Sequence, residues 1–272
     1  MIALIIALFA AAFLLLFLLM PQRPAPGQAR AFLKRNFAHR GLYTQDQSVP
    51  ENSPAAFRAA VAGGYGIELD IQLSKDGQVV VFHDDTLDRV CGVHGRVDAF
   101  TWEELREMPL YGTDQRMPLF TEVLSLVDGR VPLIVEIKTG PRNAELCEKA
   151  WSILLQYTGA FCVESFDPRI VAWWKKYARQ VLRGQLSSGW QDLHKKQSAV
   201  LSFLLSRCLL NVIARPHFIA FHKERRNVLV KLAYKLGALP VVYTAQPQDD
   251  TRKLEQENAA VIFEHYKPRI RY

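Results

Sequence analysis

The sequence predicts an α/β fold: a distorted TIM-type (β/α) barrel with a small insertion after its third strand, preceded by an apolar N-terminal helix. Three observations carry this. Short apolar strand-like runs alternate with longer helix-like segments from Asn36 onward, the pattern of a parallel sheet. Charged side chains gather near the C-terminal ends of four of those runs, the rim where barrels build their active sites. No glycine-rich nucleotide turn follows the first run, which weighs against a doubly wound open sheet.

At 272 residues and 49% hydrophobic content, the chain is long enough for one large domain plus an appendage. Its formal charge of +7 points to anionic neighbours such as an acidic membrane surface or a phosphate-bearing substrate. The basic residues are scattered and form no zinc-finger or RNA-binding signature, so no nucleic-acid partner is expected. Cys91, Cys147, Cys162 and Cys208 show no paired spacing and read as free thiols.

Met1 to Met20 is an uninterrupted apolar run just long enough to cross a bilayer as a helix. No lysine or arginine precedes it and no small-residue cleavage site closes it, so a retained single-pass anchor is expected over a removable signal peptide. Arg23, Arg30, Lys34 and Arg35 follow closely, and by the positive-inside tendency they place the body in the cytoplasm. Pro21, Pro24, Pro26 and Gly27 exclude a continuous helix, so 21–35 is expected as a linker and 36–272 as the barrel.

Strands are expected at 36–40, 66–72, 78–83, 131–137, 160–165, 180–185, 217–221, 239–244 and 259–263. Helices are expected between them at about 53–63, 101–107, 119–127, 143–157, 167–178, 192–211, 223–236 and 248–257. That is one strand more than eight, so either the hairpin strand or the last run should be irregular.

The second run alternates, with Ile67, Leu69 and Ile71 on one face and Glu68, Asp70 and Gln72 on the other. Same-face neighbours sit about 7 Å apart. Two bare carboxylates there repel by about 2 kcal/mol at an effective dielectric near 20, so a positive group is expected between them. Ser74-Lys75-Asp76-Gly77 reads as a turn into a hairpin. Pairing Leu73 with Gln78 would place Ile71 opposite Val80 and Glu68 opposite His83.

His39 and Arg40 close the first run, His83 the third, and Glu136 with Lys138 the fourth. Glu68, Asp70 and Glu136 ask for a hard divalent cation with oxygen ligands, Mg2+ or Ca2+ before zinc. Arg40 and Lys138 suit a phosphate, one as a fork and one as a point charge. His39 and His83 can exchange protons near neutral pH. Cation, anion clamp and acid–base pair together describe phosphoryl-ester cleavage.

His39-Arg40-Gly41, Pro50-Glu51-Asn52-Ser53, Glu68-Leu69-Asp70, Lys75-Asp76-Gly77, His83-Asp84 and Glu136-Ile137-Lys138 resemble, in order and spacing, the glycerophosphodiester phosphodiesterase family. The resemblance covers roughly residues 36–268. It implies a phospholipase-C-like barrel that hydrolyses glycerophosphodiesters to glycerol 3-phosphate and an alcohol with one divalent cation. It also implies that Glu68, Asp70 and Glu136 hold the metal, His39 and His83 are the catalytic pair, and Arg40 and Lys138 bind phosphate. Glu51 and Asn52 would support them. Ser165 would line the glycerol site, or cap a helix before Asp167-Pro168, and Tyr243 would form an aromatic wall.

The insertion the family carries corresponds to Leu87–Met117, with a capped helix beginning at Thr101. Three places depart from the family pattern: Val90-Cys91-Gly92, Tyr243-Thr244-Ala245-Gln246, and Glu264-His265 after the last strand. Lys195 to Arg215 is cationic at both ends, with Leu201, Leu204, Leu205, Leu209 and Val212 at helical spacing. It reads either as a barrel helix packed on the sheet or as a helix lying on anionic lipid, the second favouring lysophospholipids and a lysophospholipase D activity. A catalytically idle barrel that binds phosphodiesters is the rival reading, and no matched catalytic position is missing.

Overall fold

The computed structural model describes the chain apart from residues 196, 224 and 225. Those positions fall in the expected helices 192–211 and 223–236 and lie outside the described residues. The strands are β1 (Arg35–Ala38), β2 (Gly66–Leu73), β3 (Val79–Val81), β4 (Leu133–Ile137), β5 (Phe161–Ser165), β6 (Leu182–Ser187), β7 (Phe218–His222), β8 (Leu239–Ala245) and β9 (Ala260–Phe263). The α-helices are α1 (Ile2–Leu19), α2 (Pro54–Ala62), α3 (Asp88–Cys91), α4 (Trp102–Leu105), α5 (Phe120–Val127), α6 (Asn143–Leu154), α7 (Pro168–Tyr177), α8 (Trp190–His194), α9 (Ala199–Ser206), α10 (Asn211–Ala214), α11 (Val228–Lys235) and α12 (Thr251–Glu257).

β1 pairs in parallel with both β2 and β9, and the parallel ladder continues from β2 through β4 to β9. Eight parallel strands therefore close into a barrel, and the extra strand is the hairpin strand β3, antiparallel to β2 and outside the ring. The helices start on local signals. Ser53 caps α2 ahead of Pro54, Asp167 caps α7 ahead of Pro168, and Thr101 with Glu104 forms a capping box on α4.

The hairpin register differs from the expected one by a residue. Leu73 stands opposite Val79 and Ile71 opposite Val81. The cause is Gly77, whose φ of +79° inserts a left-handed residue before the ladder resumes, with Ser74 N donating to Gln78 O at 3.0 Å. β3 ends at Val81, so His83 reaches the rim from the following loop and does not face Glu68 across a ladder.

The stretch expected as one helix over 192–211 is also divided, into α8, α9 and the beginning of α10. Ser198 accepts from Leu201 N and starts α9 afresh, since a serine side chain competes for backbone donors and favours a cap over a helix interior. Leu205 packs inward, whereas Val200, Leu201 and Phe203 are exposed.

Two apolar layers position the site. Outward-facing Ile67, Leu69, Leu133, Val135 and Val163 pack beneath the helices with Phe120 and Trp174. Inward-facing Phe37, Ile134, Cys162, Leu182, Phe218 and Ile262 fill the barrel floor. Residues 25–34 form successive turns and add Ala29 and Phe32 to that floor. Strand periodicity then dictates what stands two residues further along: His39 above Phe37, Glu136 above Ile134, Glu164 above Cys162 and Glu264 above Ile262.

Among the described residues, α1 alone is long and apolar enough to cross a membrane, with a mean hydropathy of 3.2. Its last turn docks on the barrel. Leu19 is fully buried, Asn211 Nδ2 donates to Leu19 O at 3.0 Å, and Arg215 Nη1 donates to Phe17 O and Met20 O at 2.8 and 2.7 Å.

Candidate active site

β2 and β4 run in register, setting Asp70 beside Glu136, and Glu68 projects to the same interior one strand period lower. Glu68, Asp70 and Glu136 are buried and offer carboxylate oxygens within 4.8 Å of one another. That span suits a hard cation, whose oxygen ligands stand about 2.0–2.6 Å away. The electrostatics call for one. Burial first, then the charges of Asp70, Glu136 and Glu164, hold the Glu68 carboxyl well above the ordinary range. Asn52 Oδ1 and Glu164 Oε2 are buried with no hydrogen-bond partner among the described residues. The donor set therefore fits a divalent ion.

The expected cations lie among these acids. Lys138 Nζ is 3.2 Å from Asp70 Oδ1 and 2.9 Å from Glu136 Oε1. Burial alone would lower its pKa, but Glu136 and Asp70 outweigh burial and raise it. Arg40 Nη1 meets Glu51 Oε1 at 2.7 Å, its Nε lies 3.7 Å from Asp70 Oδ2, and its backbone N donates to Glu68 Oε2 at 3.1 Å. Arg40 adopts φ +54°, a left-handed turn that aims both amide and guanidinium inward. Asp70 is buried, which would raise its pKa. Lys138, His83 and Arg40, with the Asn52 amide donating at 2.9 Å, bring it far below the usual value instead.

Each histidine is held at Nδ1 by a carboxylate. His39 Nδ1 lies 2.7 Å from Glu264 Oε2, and its Nε2 faces Glu68 Oε2 at 3.9 Å. Burial and then Arg40 lower the His39 pKa, against the pull of Glu264. His83 Nδ1 lies 2.6 Å from Asp84 Oδ1. Arg89 links the two halves, its guanidinium donating to both Asp84 oxygens and to Glu51, and also to the Tyr111 hydroxyl. Burial would raise the Glu51 pKa, but the Arg89 bonds and the Arg40 charge bring it down to about 2.

The fold thus brings together His39, Arg40, Glu51, Asn52, Glu68, Asp70, Glu136 and Lys138, with His83 joined through Asp84 and Arg89. Ser165 is fully buried and donates to Ile137 O at 2.7 Å, and the cap of α7 is Asp167. Tyr243 stands on the far wall, its hydroxyl donating to Ser187 O at 2.8 Å.

Several functional groups escaped sequence reasoning. Glu264 orients His39 and also accepts from Tyr43 and Gln246. Glu164 sits in register with Glu136 on the adjacent strand. Asp84 and Arg89 complete the link to His83. For the two glutamates a signal was available, since each is an acid at or near the end of an apolar run, like the acids that were singled out.

Buried acids and carboxylate-held imidazoles at the C-terminal rim define the chain as a catalytic-type α/β barrel. The profile of the glycerophosphoryl diester phosphodiesterase family matches residues 39–267, and the chain belongs to that family. A glycerophosphodiester phosphodiesterase of Caldanaerobacter subterraneus is 42% identical over 111 residues, covering 38% of this chain and 44% of the relative. A lysophospholipase D of Rattus norvegicus is 35% identical over 139 residues, covering 46% and 42%. The chain matches roughly half the length of such curated relatives. Among solved structures, an Oleispira antarctica phosphodiesterase in complex with the product sn-glycerol-3-phosphate shares the fold. Its TM-score is 0.71 and its identity 23%, over 88% of this chain and 96% of that one.

Proposed function

We propose that this protein hydrolyses glycerophosphodiesters to glycerol 3-phosphate and an alcohol with one divalent cation, Mg2+ or Ca2+. The observation that carries this is the convergence of Glu68, Asp70 and Glu136 to within 4.8 Å, flanked by two carboxylate-oriented histidines. The cation, held by those three acids, would stabilise charge on the phosphoryl oxygens and acidify a hydroxyl beside it.

The remaining chemistry belongs to the chain's own residues. With Nδ1–H of His39 committed to Glu264, the Nε2 lone pair faces the acid cluster and is free to take a proton. His83, committed to Asp84, presents its other nitrogen in the same way. One imidazole removes the proton of the glycerol 2-hydroxyl as its oxygen attacks phosphorus. The bond to the leaving alcohol breaks, and the other histidine, which enters the step as the imidazolium, gives its proton to that oxygen. Water then opens the cyclic phosphate with the two roles reversed. Arg40 and Lys138, held at the cluster by Glu51, Asp70 and Glu136, orient the phosphate. Glu51 and Asn52 fix Arg40 and Asp70, and Tyr243 walls the pocket. Ser165 keeps the end of β5 against that of β4 behind the glycerol position.

We further read α1 as a retained anchor with the barrel in the cytoplasm. A cleaved leader would strip partners from buried Asn211 and from Arg215, both of which donate to carbonyls at the foot of α1. The lysophospholipase D relative favours lysophospholipids as a second substrate class. Release of glycerol 3-phosphate from glycerophosphodiesters, or of lysophosphatidic acid from lysophospholipids, measured with and without chelator, tests both. No cation-dependent release from either class would refute the proposal.

A further inference from the structure

At the opposite end of the barrel from the acids lies a second charged cluster that the reaction does not use. Arg183 is the second residue of β6 and is buried. It donates to Gln22 Oε1 at 2.6 Å and to Arg215 O at 3.0 Å, while its Nη1 has no hydrogen-bond partner among the described residues. Lys175, near the end of α7, donates to Ile213 O at 3.1 Å, and Arg215 lies over the Phe17 ring at the foot of α1.

Burial and then the charges of Arg215, Arg183 and Arg179 lower the Lys175 pKa, and among the described residues no acid offsets them there. The charge that weighs on Arg183 is that of Arg179. A buried guanidinium with no counter-charge among the described residues is costly, and four neighbouring cations add their mutual repulsion. An anion would relieve both.

The surroundings narrow its identity. The cluster sits where an 18-residue apolar helix ends, which for a spanning helix is the level of the lipid headgroups. Phe17, beneath Arg215, and Ile213, whose backbone carbonyl accepts from Lys175, carry exposed apolar side chains suited to an acyl chain and ill suited to a free ion in water. We propose that Lys175, Arg179 and Arg215, backed by Arg183, bind the phosphate headgroup of an anionic phospholipid at the foot of α1. The inference rests on the reading of α1 as a bilayer anchor.

The test uses the full chain reconstituted into nanodiscs of phosphatidylcholine mixed with phosphatidylglycerol, then released for native mass spectrometry of the retained lipid. Phosphatidylglycerol should be retained in excess of its bulk share. The exposed-side variants K175Q and R179Q should each lower that excess about fivefold, with turnover and melting temperature unchanged. Retained lipid matching the bulk composition, or unaffected by both variants, would overturn the site while leaving the anchor standing. Failure of the chain to enter nanodiscs at all would instead remove the anchor. Binding of inorganic phosphate to the detergent-solubilised chain as tightly as phosphatidylglycerol would overturn the assignment to lipid.

Discussion

Replacing Glu264 separates orientation from charge at His39. The carboxylate lies 2.7 Å from Nδ1 and its side chain is only 12% exposed, so solvent screens the pair little. For charge centres about 4 Å apart at an effective dielectric of 20, an imidazolium formed at His39 would gain about 4 kcal/mol from that carboxylate. Tyr43 and Gln246 also bond to Glu264 and share its charge, so about half of that gain is taken as lost on neutralisation. Glu264→Gln, which keeps an acceptor for Nδ1–H, should therefore lower kcat about 30-fold with KM nearly unchanged. Glu264→Ala, which also frees the ring to rotate, should cost about 10²- to 10³-fold. The assay is steady-state release of glycerol 3-phosphate from glycerophosphocholine at saturating cation, with melting curves to show that both variants fold. An alanine variant within about threefold of wild-type kcat would refute the claim that this carboxylate positions the histidine.

Glu68→Gln should abolish turnover yet raise the melting temperature of the cation-free protein by about 2–4 °C, because it removes one of four mutually repelling buried acids. Mg2+ or Ca2+ should raise the melting temperature of the wild type and leave that of this variant unmoved, which calorimetry with and without cation would show. His217 is buried with Nδ1 accepting from Arg183 N, and burial followed by the Arg183 charge pushes its pKa down to about 3. The unfolded imidazole takes up a proton near 6.5 and the folded one resists until about 3, so stability falls on acidification through that window by up to about 1.4 kcal/mol per pH unit. His217→Gln should flatten this dependence in urea midpoints measured at pH 7 and pH 5. A Cβ on Gly184 would stand 2.0 Å from the Phe218 ring in the barrel floor, so Gly184→Ala should cost at least about 2 kcal/mol in the same assay.

Which of these features a sequence reveals depends on the range over which each is determined. Glu68, Asp70 and Glu136 were legible because strand alternation is local: Glu136 stands two residues beyond the floor residue Ile134, and Glu68 and Asp70, paired in register with Ile134 and Glu136, share that interior face. Eight parallel strands were legible for the same reason, from repeated strand and helix periods. The hairpin register was not, since one left-handed glycine at position 77 moves every pairing beyond it. The pairing of His39 with Glu264 spans 225 positions and exists only because β1 closes the ring against β9. Proline content shows that 21–35 is not helical but says nothing of where Phe32 packs, and Phe32 enters the floor. The departures from the family pattern follow this division. The acid triad, set by local alternation, stands in motifs whose order and spacing resemble the family's. Glu264, set by closure, lies in one of the stretches that depart from the pattern, and it delivers a carboxylate to Nδ1 of His39. Ring closure therefore decides which carboxylate meets His39, and no local pattern in the sequence singles out Glu264 as that partner.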